Sequence, residues 1–280
     1  MLELLVLGGG RMGSALVAGR LRAGSNPDSL GVVEKLPKLR AELGVRFEGV
    51  AVLEAPVPSE GAVLAVKPAD VPDACAALAA AGCRRVLSVA AGVGTAQLDE
   101  LLGPGCAVVR AMPNMPALLG AGASAIAPGR GATSDDLAWA EEILASVGVV
   151  VRVGEKYLDA VTGLSGSGPA YVFLLAEAMI EGGVLSGLDR EVSRRLVAQT
   201  ILGSGLMLAG TEESATDADG GHGTGGASPA ALRDMITSPG GTTAAGLRKL
   251  EACGFRSAVV EAVAAATERS RELGRPTEDG

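Results

Sequence analysis

Two short runs carry residue types suited to binding and catalysis with little help from ionised side chains. The first, "LRDMITSPGGTTAAGLRKL" at residues 232 to 250, has no charged residue between Asp234 and Arg248. It sets Ser238, Gly240, Gly241, Thr242 and Thr243 at the head of a helical pattern. Backbone N–H groups in a glycine-rich loop at a helix N-terminus can hold an anion without any basic side chain. The same residues also suit a Pro-Gly turn that does no more than start a helix. Both readings stand on these residues alone.

The second run is "LLVLGGGRMGSALVAG", residues 4 to 19, which contains Gly8-x-Gly10-x-x-Gly13 between an apolar strand pattern and an amphipathic helix pattern. In that context Gly8 allows a tight turn, Gly10 lets the backbone approach a pyrophosphate, and Gly13 lets helix and strand pack closely. The expected cofactor contacts here are Leu7, Gly8, Gly9, Gly10, Arg11 and Met12. The second strand ends at Glu34, 21 residues after Gly13. A carboxylate there bonds the ribose hydroxyls of NAD and repels the 2′-phosphate of NADP. The neighbouring Lys35 offsets part of that repulsion, and a solvated strand end is the other reading of Glu34. The expected cofactor is therefore NADH or NADPH, with NADH favoured. Ligands of open parallel sheets sit beyond the carboxyl ends of the strands. That puts Ala65, Val66, Lys67 and Pro68 of "LAVKP", and Ala90, Ala91 and Gly92 of "SVAAGV", beside the cofactor.

Other reactive residue types are scarce. The single histidine, His222, lies in the polar, acidic, glycine-rich segment 210–229, which reads as a flexible loop. No His-based triad or general acid is expected. Cys75, Cys83, Cys106 and Cys253 have no metal-ligand spacing, so free thiols and no metal site are expected.

These residues need elements to position them. Apolar runs at Leu4–Leu7, Leu30–Val33, Ala62–Val66, Arg85–Val89 and Ala107–Val109 alternate with helical patterns at Met12–Ala23, Leu36–Leu43, Val71–Ala81 and Ala96–Leu101. A strand near Ala123–Ala127, a helix from Asp135 to Ser146 and a strand at Val149–Val153 follow. This alternation predicts an α/β fold with a parallel, Rossmann-type sheet covered on both faces. After Gly154 strand signals stop and long helical periods take over, with Asp189 a helix cap and further helices at Thr242–Cys253 and Ser257–Leu273. The predicted domains are 1–153, dinucleotide-binding, and 154–280, all-helical.

Composition narrows the class. Of 280 residues 48% are hydrophobic but only 2% aromatic, so the core is aliphatic. A net charge of −8 without a basic stripe argues against nucleic acid and anionic membrane partners. No stretch approaches a span of roughly 20 apolar residues. The N-terminus has no basic leader, and a cytoplasmic protein is expected.

Taken together, "LGGGRMGSAL", "AVKP", "VAAGV", "RAMPNMPALLGAG", "LSGSGPAYVF" and "LRDMITSPGGTT" make the chain similar, nearly end to end, to the pyrroline-5-carboxylate reductases. The resemblance implies NAD(P)H-dependent reduction of a cyclic imine, the last step of proline synthesis. It also implies a helical C-terminal domain that forms homodimers, often within larger rings such as decamers. By the same resemblance Ser238, Gly240, Gly241 and Thr242 hold the substrate carboxylate and Thr243 bonds the ring nitrogen. Glu155 matches an acidic position near the substrate, and a solvated turn carboxylate is its alternative reading. Asn114 would run past the nicotinamide and bond an amide or a water. Residues Ser165–Pro169 form a tight helix entry whose glycines serve packing. Two departures stand out: the segment 210–229 is longer than usual and is predicted to be disordered without ligand, and beyond the third strand, where relatives usually have an Asn and some an acidic residue on the adenosine side, "EGVAVLEAP" has Val52 or its neighbours. A 3-hydroxy acid dehydrogenase shares the layout but uses a lysine on the helix that here spans Asp159–Ile180, which has none. A regulatory protein that binds the nucleotide without catalysis is the other alternative.

Overall fold

The computed structural model describes residues 1–210 and 227–274. The first half builds eight strands: β1 (Leu2–Leu7), β2 (Leu30–Val33), β3 (Ala51–Leu53), β4 (Ser59–Leu64), β5 (Arg85–Ser88), β6 (Ala107–Met112), β7 (Gly122–Pro128) and β8 (Gly148–Arg152). They form one sheet in the order β3-β2-β1-β4-β5-β6-β7-β8. All neighbours are parallel except β6 and β7. Five helices cover it: α1 (Arg11–Arg22), α2 (Pro37–Arg46), α3 (Val71–Ala80), α4 (Thr95–Leu102) and α5 (Ser134–Ala145).

Alternation along β1 assigns its two faces. Leu4 and Val6 pack with Leu16 of α1, Leu43 of α2 and Leu144 of α5, whereas Leu5 and Leu7 pack with Leu78 of α3 and Leu98 of α4. Each fully buried leucine contributes about 2 kcal/mol, so an unbroken apolar run is the signature of a strand covered on both sides. α5 starts on a capping box: Thr133 Oγ1 accepts from Asp136 N, and Asp136 Oδ2 accepts from Thr133 N. Those two bonds satisfy donors that the first turn would otherwise leave open.

The helical half comprises α6 (Leu158–Val161), α7 (Gly168–Leu185), α8 (Arg190–Ala209), α9 (Pro229–Met235), α10 (Thr242–Ala252) and α11 (Phe255–Leu273). α8 begins on Asp189, whose side chain accepts from the N–H groups of Glu191 and Val192. α9 starts on Ser228, whose hydroxyl accepts from Ala231 N, with Pro229 next. Of the loop expected over 210–229, residues 211–226, including His222, lie outside the described residues.

Contacts divide the chain into two compact units, Met1–Pro169 with the stretch from Ala262 onward, and Ala170–Glu261. The sequence pattern places the change at residue 153. The difference comes from α11, whose end packs on the segment after β8. A Cβ at Gly163 would sit 2.3 Å from Thr267 Oγ1 and 2.7 Å from the Val263 carbonyl oxygen. Ser270 Oγ donates to Asp159 Oδ1 at 2.7 Å. The chain from Thr162 to Gly166 widens into a π-turn, with Ser167 N donating to the Thr162 carbonyl at 2.8 Å.

In the second unit a close approach joins α7 to α8, where a Cβ at Gly183 would lie 2.7 Å from Ser193 Oγ. Among the described residues of this unit little else is covered. α7 has no buried residue, and Phe173, Leu174, Leu196, Leu202 and Leu206 are exposed. Among the described residues, one helical stretch, Glu155–Leu185, is long and apolar enough to cross a membrane by length and composition alone. It carries Glu177 and Glu181 in its second half.

Candidate active site

The first unit contains a cavity of about 600 Å³ at the carboxyl ends of β1, β2 and β4, and its lining includes Leu7, Gly8, Gly10, Glu34, Ala65, Val66 and Lys67. The glycines explain its shape. Gly8 has φ +99°, and a Cβ there would lie 2.6 Å from the Ala65 carbonyl oxygen. A Cβ at Gly13 would lie 2.0 Å from the Gly8 carbonyl oxygen, so α1 can approach the turn only without a side chain. A Cβ at Gly10 would meet nothing within 4 Å. Gly10 is the residue before α1, with no side chain capping the helix, so the first N–H groups of α1 open onto space left clear by the glycine. This is a cradle for a diphosphate at the positive end of a 12-residue helix. The residues present fit a dinucleotide: Gly8, Gly10 and the first turn of α1 for the diphosphate, and Glu34 with the end of β3 for the adenosine side.

Glu34 lines the cavity, and its carboxylate also ties two loops together. Oε2 accepts from Gly9 N at 3.0 Å and Oε1 accepts from Leu36 N at 2.9 Å. Ser14 Oγ donates to the Gly9 carbonyl at 2.9 Å, which fixes the turn from below. Arg11 and Met12 occupy the first turn of α1, and Pro68 starts the short 3₁₀ turn Pro68–Asp70 after β4. Gly9, Arg11, Met12 and Pro68 border the cavity in sequence without lining it. Ala90, Ala91 and Gly92 sit beyond β5, apart from the cavity lining; Ala90 is buried and Gly92 has φ +76°. The sequence reading missed Glu54, Ala55 and Pro56, which line the cavity after β3, and Asp70 and Asp73 at the start of α3. The rule that ligands lie beyond strand ends finds Glu54–Pro56 once β3 is recognised; Val52 lies within that strand.

Two further expected residues are engaged inside the first unit. Asn114 Nδ2 donates to the Ser165 carbonyl at 3.0 Å, and its Oδ1 accepts from Ala123 N at 2.8 Å. It therefore braces the π-turn against β7, with both ends of its amide used. Gly166 of the same turn packs on Met112, where a Cβ would come within 2.9 Å of Cε. Glu155 accepts from Thr95 N at 2.6 Å, from Thr95 Oγ1 at 2.5 Å and from Arg110 Nη1 at 3.2 Å. It clasps the loop after β5 and the strand β6 to the chain leaving β8. Burial pushes the Glu155 carboxyl up, but the Thr95 hydrogen bonds and the Arg110 charge outweigh it, leaving the pKa below its ordinary 4.5.

A depressed carboxyl pKa adds stability above the unfolded-state value, and that stability is lost as pH falls through the folded value. Glu155→Gln should therefore have a lower Tm than the wild type at pH 7. The gap should close as pH drops below 4.5. A gap that persists unchanged in thermal melts at pH 3, or one that widens there, contradicts the clasp.

The second unit contributes the loop before α10. Gly241 is the residue before the helix, with no side-chain cap, and Gly240 has φ +71°. Gly241 N donates to the Ser238 carbonyl at 3.0 Å, and a Cβ at Gly241 would lie 2.4 Å from Ser238 Oγ. Ser238, Gly240 and Thr242 are exposed and Thr243 is half-buried. The N–H groups of Thr242, Thr243 and Ala244 precede the first in-helix bond, from Ala245 N to the Gly241 carbonyl at 3.2 Å. Open N–H groups of this kind at a helix start can accept an anion.

The family model described as "Pyrroline-5-carboxylate reductase dimerisation" matches residues 155–273, and that described as "NADP oxidoreductase coenzyme F420-dependent" matches residues 3–92. The chain is 42% identical to a pyrroline-5-carboxylate reductase of Methanosarcina acetivorans, over 96% of this chain and 97% of that protein. It is similar in structure to a pyrroline-5-carboxylate reductase of Coxiella burnetii, with 32% identity, a TM-score of 0.88 and coverage of 98% and 99%. It is also similar to a pyrroline carboxylate reductase of Plasmodium falciparum with NADP bound, with 31% identity, a TM-score of 0.79 and 98% of each chain covered.

Proposed function

The chain belongs to the pyrroline-5-carboxylate reductase family, and we propose that it reduces 1-pyrroline-5-carboxylate to L-proline, the final step of proline synthesis. NADH or NADPH supplies the hydride that adds to the ring carbon of the C=N bond; the nitrogen gains a proton and the double bond becomes a single bond. The protein's own work is binding and orientation. The first turn of α1 and the glycines before it hold the diphosphate, and Glu34 holds the adenosine ribose. Lys67, Pro68, Ala90, Ala91 and Gly92 belong to the same cofactor-binding surface. The Ser238, Gly240, Gly241 and Thr242 segment holds the substrate carboxylate, and the Thr243 hydroxyl orients the ring nitrogen. An imine nitrogen is far more basic than a carbonyl oxygen, so it takes its proton from water or a hydroxyl and needs no histidine.

The observation that carries this reading is the pair of side-chain-free helix starts, one at Gly10 and one at Gly241, each leaving N–H donors open for an anion. Glu155 and Asn114 shape the loops around the site through their contacts at Thr95, Arg110, Ser165 and Ala123. We place the functional boundary near residue 153, in keeping with the dimerisation match that starts at 155. The exposed apolar faces of α7 and α8 fit burial against a second copy better than contact with lipid, because α7 carries Glu177 and Glu181. The assembly is a homodimer or a larger ring such as a decamer, and it works in the cytoplasm, where reduced nicotinamide is available.

Absorbance at the reduced-nicotinamide band tests the reading. With 1-pyrroline-5-carboxylate, both NADH and NADPH should be consumed and proline formed; a 3-hydroxy acid with NAD should give no signal. Absence of imine reduction with either cofactor overturns it.

A further inference from the structure

The cavity in the first unit carries a charge arrangement that bears on which cofactor it takes. Four carboxylates line it, those of Glu34, Glu54, Asp70 and Asp73, against the two ammonium groups of Lys35 and Lys67. Of the basic groups near the end of β2, two are already engaged. Lys35 Nζ lies 3.9 Å from Asp73 Oδ2, a pair that runs from the end of β2 to the first turn of α3. Arg40 Nη2 bonds Glu54 Oε2 at 3.1 Å, and its Nη1 donates to the carbonyls of Glu34 and Lys35 at 2.8 and 2.9 Å. Glu34 itself stays fixed by Gly9 and Leu36.

A 2′-phosphate is recognised by a free cation where NAD-specific folds have an acid. Here Lys35 and Arg40, the cations beside the end of β2, face carboxylates contributed by other elements, Asp73 of α3 and Glu54 just after β3. Lys35 and Asp73 are exposed, so their pairing adds little stability. Its consequence is electrostatic: the phosphate must compete with Asp73 for Lys35 and with Glu54 for Arg40, while meeting the Glu34 charge. Resting on the cofactor reading above, we propose that Asp73 and Glu54 are the specificity-determining residues of the cofactor site. By holding Lys35 and Arg40 they weaken binding of the 2′-phosphate and favour NADH over NADPH.

Titration calorimetry of the whole chain with 5′-AMP and 2′,5′-ADP tests this without any turnover. The wild type should bind 5′-AMP more tightly than 2′,5′-ADP. Asp73→Asn should raise the relative affinity for 2′,5′-ADP about tenfold, the size of one unit charge acting at short range near a protein surface. The double variant Asp73→Asn, Glu54→Gln should raise it further, and both gains should shrink as salt rises. A wild type that prefers 2′,5′-ADP overturns the proposal. So does a ratio that moves less than about twofold in both variants, or gains indifferent to salt, which mark packing and not charge. A wild type that binds neither nucleotide removes the cofactor site itself, and this proposal with it. Imine reduction that persists while the ratio stays fixed removes only the roles of Asp73 and Glu54.

Discussion

Replacing Thr243 with alanine is expected to lower kcat for imine reduction about 100-fold while leaving the Kd of NADH within about twofold, the signature of a lost positioning contact at the reacting group. Thr243 lies in the second unit, at the second position of α10, and the cofactor cradle lies wholly in the first. The alanine keeps the backbone donors of the helix start and has a higher helix propensity than threonine, so the fold should survive. It removes the hydroxyl assigned to the ring nitrogen together with the γ-methyl. Stopped-flow kinetics and NADH fluorescence titration separate the two quantities. An equal loss of turnover and NADH affinity means that the threonine supports structure and does not orient substrate. Thr243→Ser, which restores the hydroxyl, should recover most of the rate.

The second large effect concerns Gly13 and is best read against Gly10. Gly13→Ala puts a methyl group where the Gly8 carbonyl oxygen stands 2.0 Å away and Val6 Cγ1 3.1 Å away. Backbone cannot yield as a flexible side chain does, so the cost is about 3 kcal/mol or more, among the largest for a single substitution. The expected result is a fall in Tm of many degrees together with loss of NADH binding. Gly10→Ala enters open space. Its Tm should stay within about 2 °C of the wild type, while NADH affinity falls roughly tenfold because the methyl intrudes on the helix start that holds the diphosphate. If both variants melt alike, the cradle geometry is wrong. If Gly10→Ala binds NADH normally, the diphosphate does not sit at this helix.

The sequence reading of the sheet rests on chemistry that is local. Leu4–Leu7 and Ala62–Leu64 are buried on both faces, so an unbroken apolar run marks each strand. The glycine pattern at residues 8 to 13 could be read because each glycine answers one steric demand. β3 gives no apolar run of its own because it is three half-exposed residues at the sheet edge, and Glu54 after it is not singled out as a cavity residue. α9 lies beside a stretch of glycine and acid and is only seven residues long. Glu155 and Asn114 show a different limit. Their partners lie 60, 45, 51 and 9 residues away, and nothing in local spacing says which loop a carboxylate or an amide will hold. The resemblance points both toward ligands, and in the folded chain their polar atoms also bond protein groups. The contact units divide the chain elsewhere than the change of pattern at residue 153 for a related reason: the packing of α11 on Gly163 joins residues about a hundred positions apart.

The most direct measurement is the fate of the hydride. Reaction of 1-pyrroline-5-carboxylate with NADH bearing deuterium at C4 of the nicotinamide, prepared separately in each of its two stereochemical forms, should give proline with one deuterium from one form only. That deuterium should reside on the ring carbon next to nitrogen and away from the carboxylate, as read by NMR. Unlabelled proline from both forms, or label at any other carbon, would contradict a site that delivers hydride to the imine.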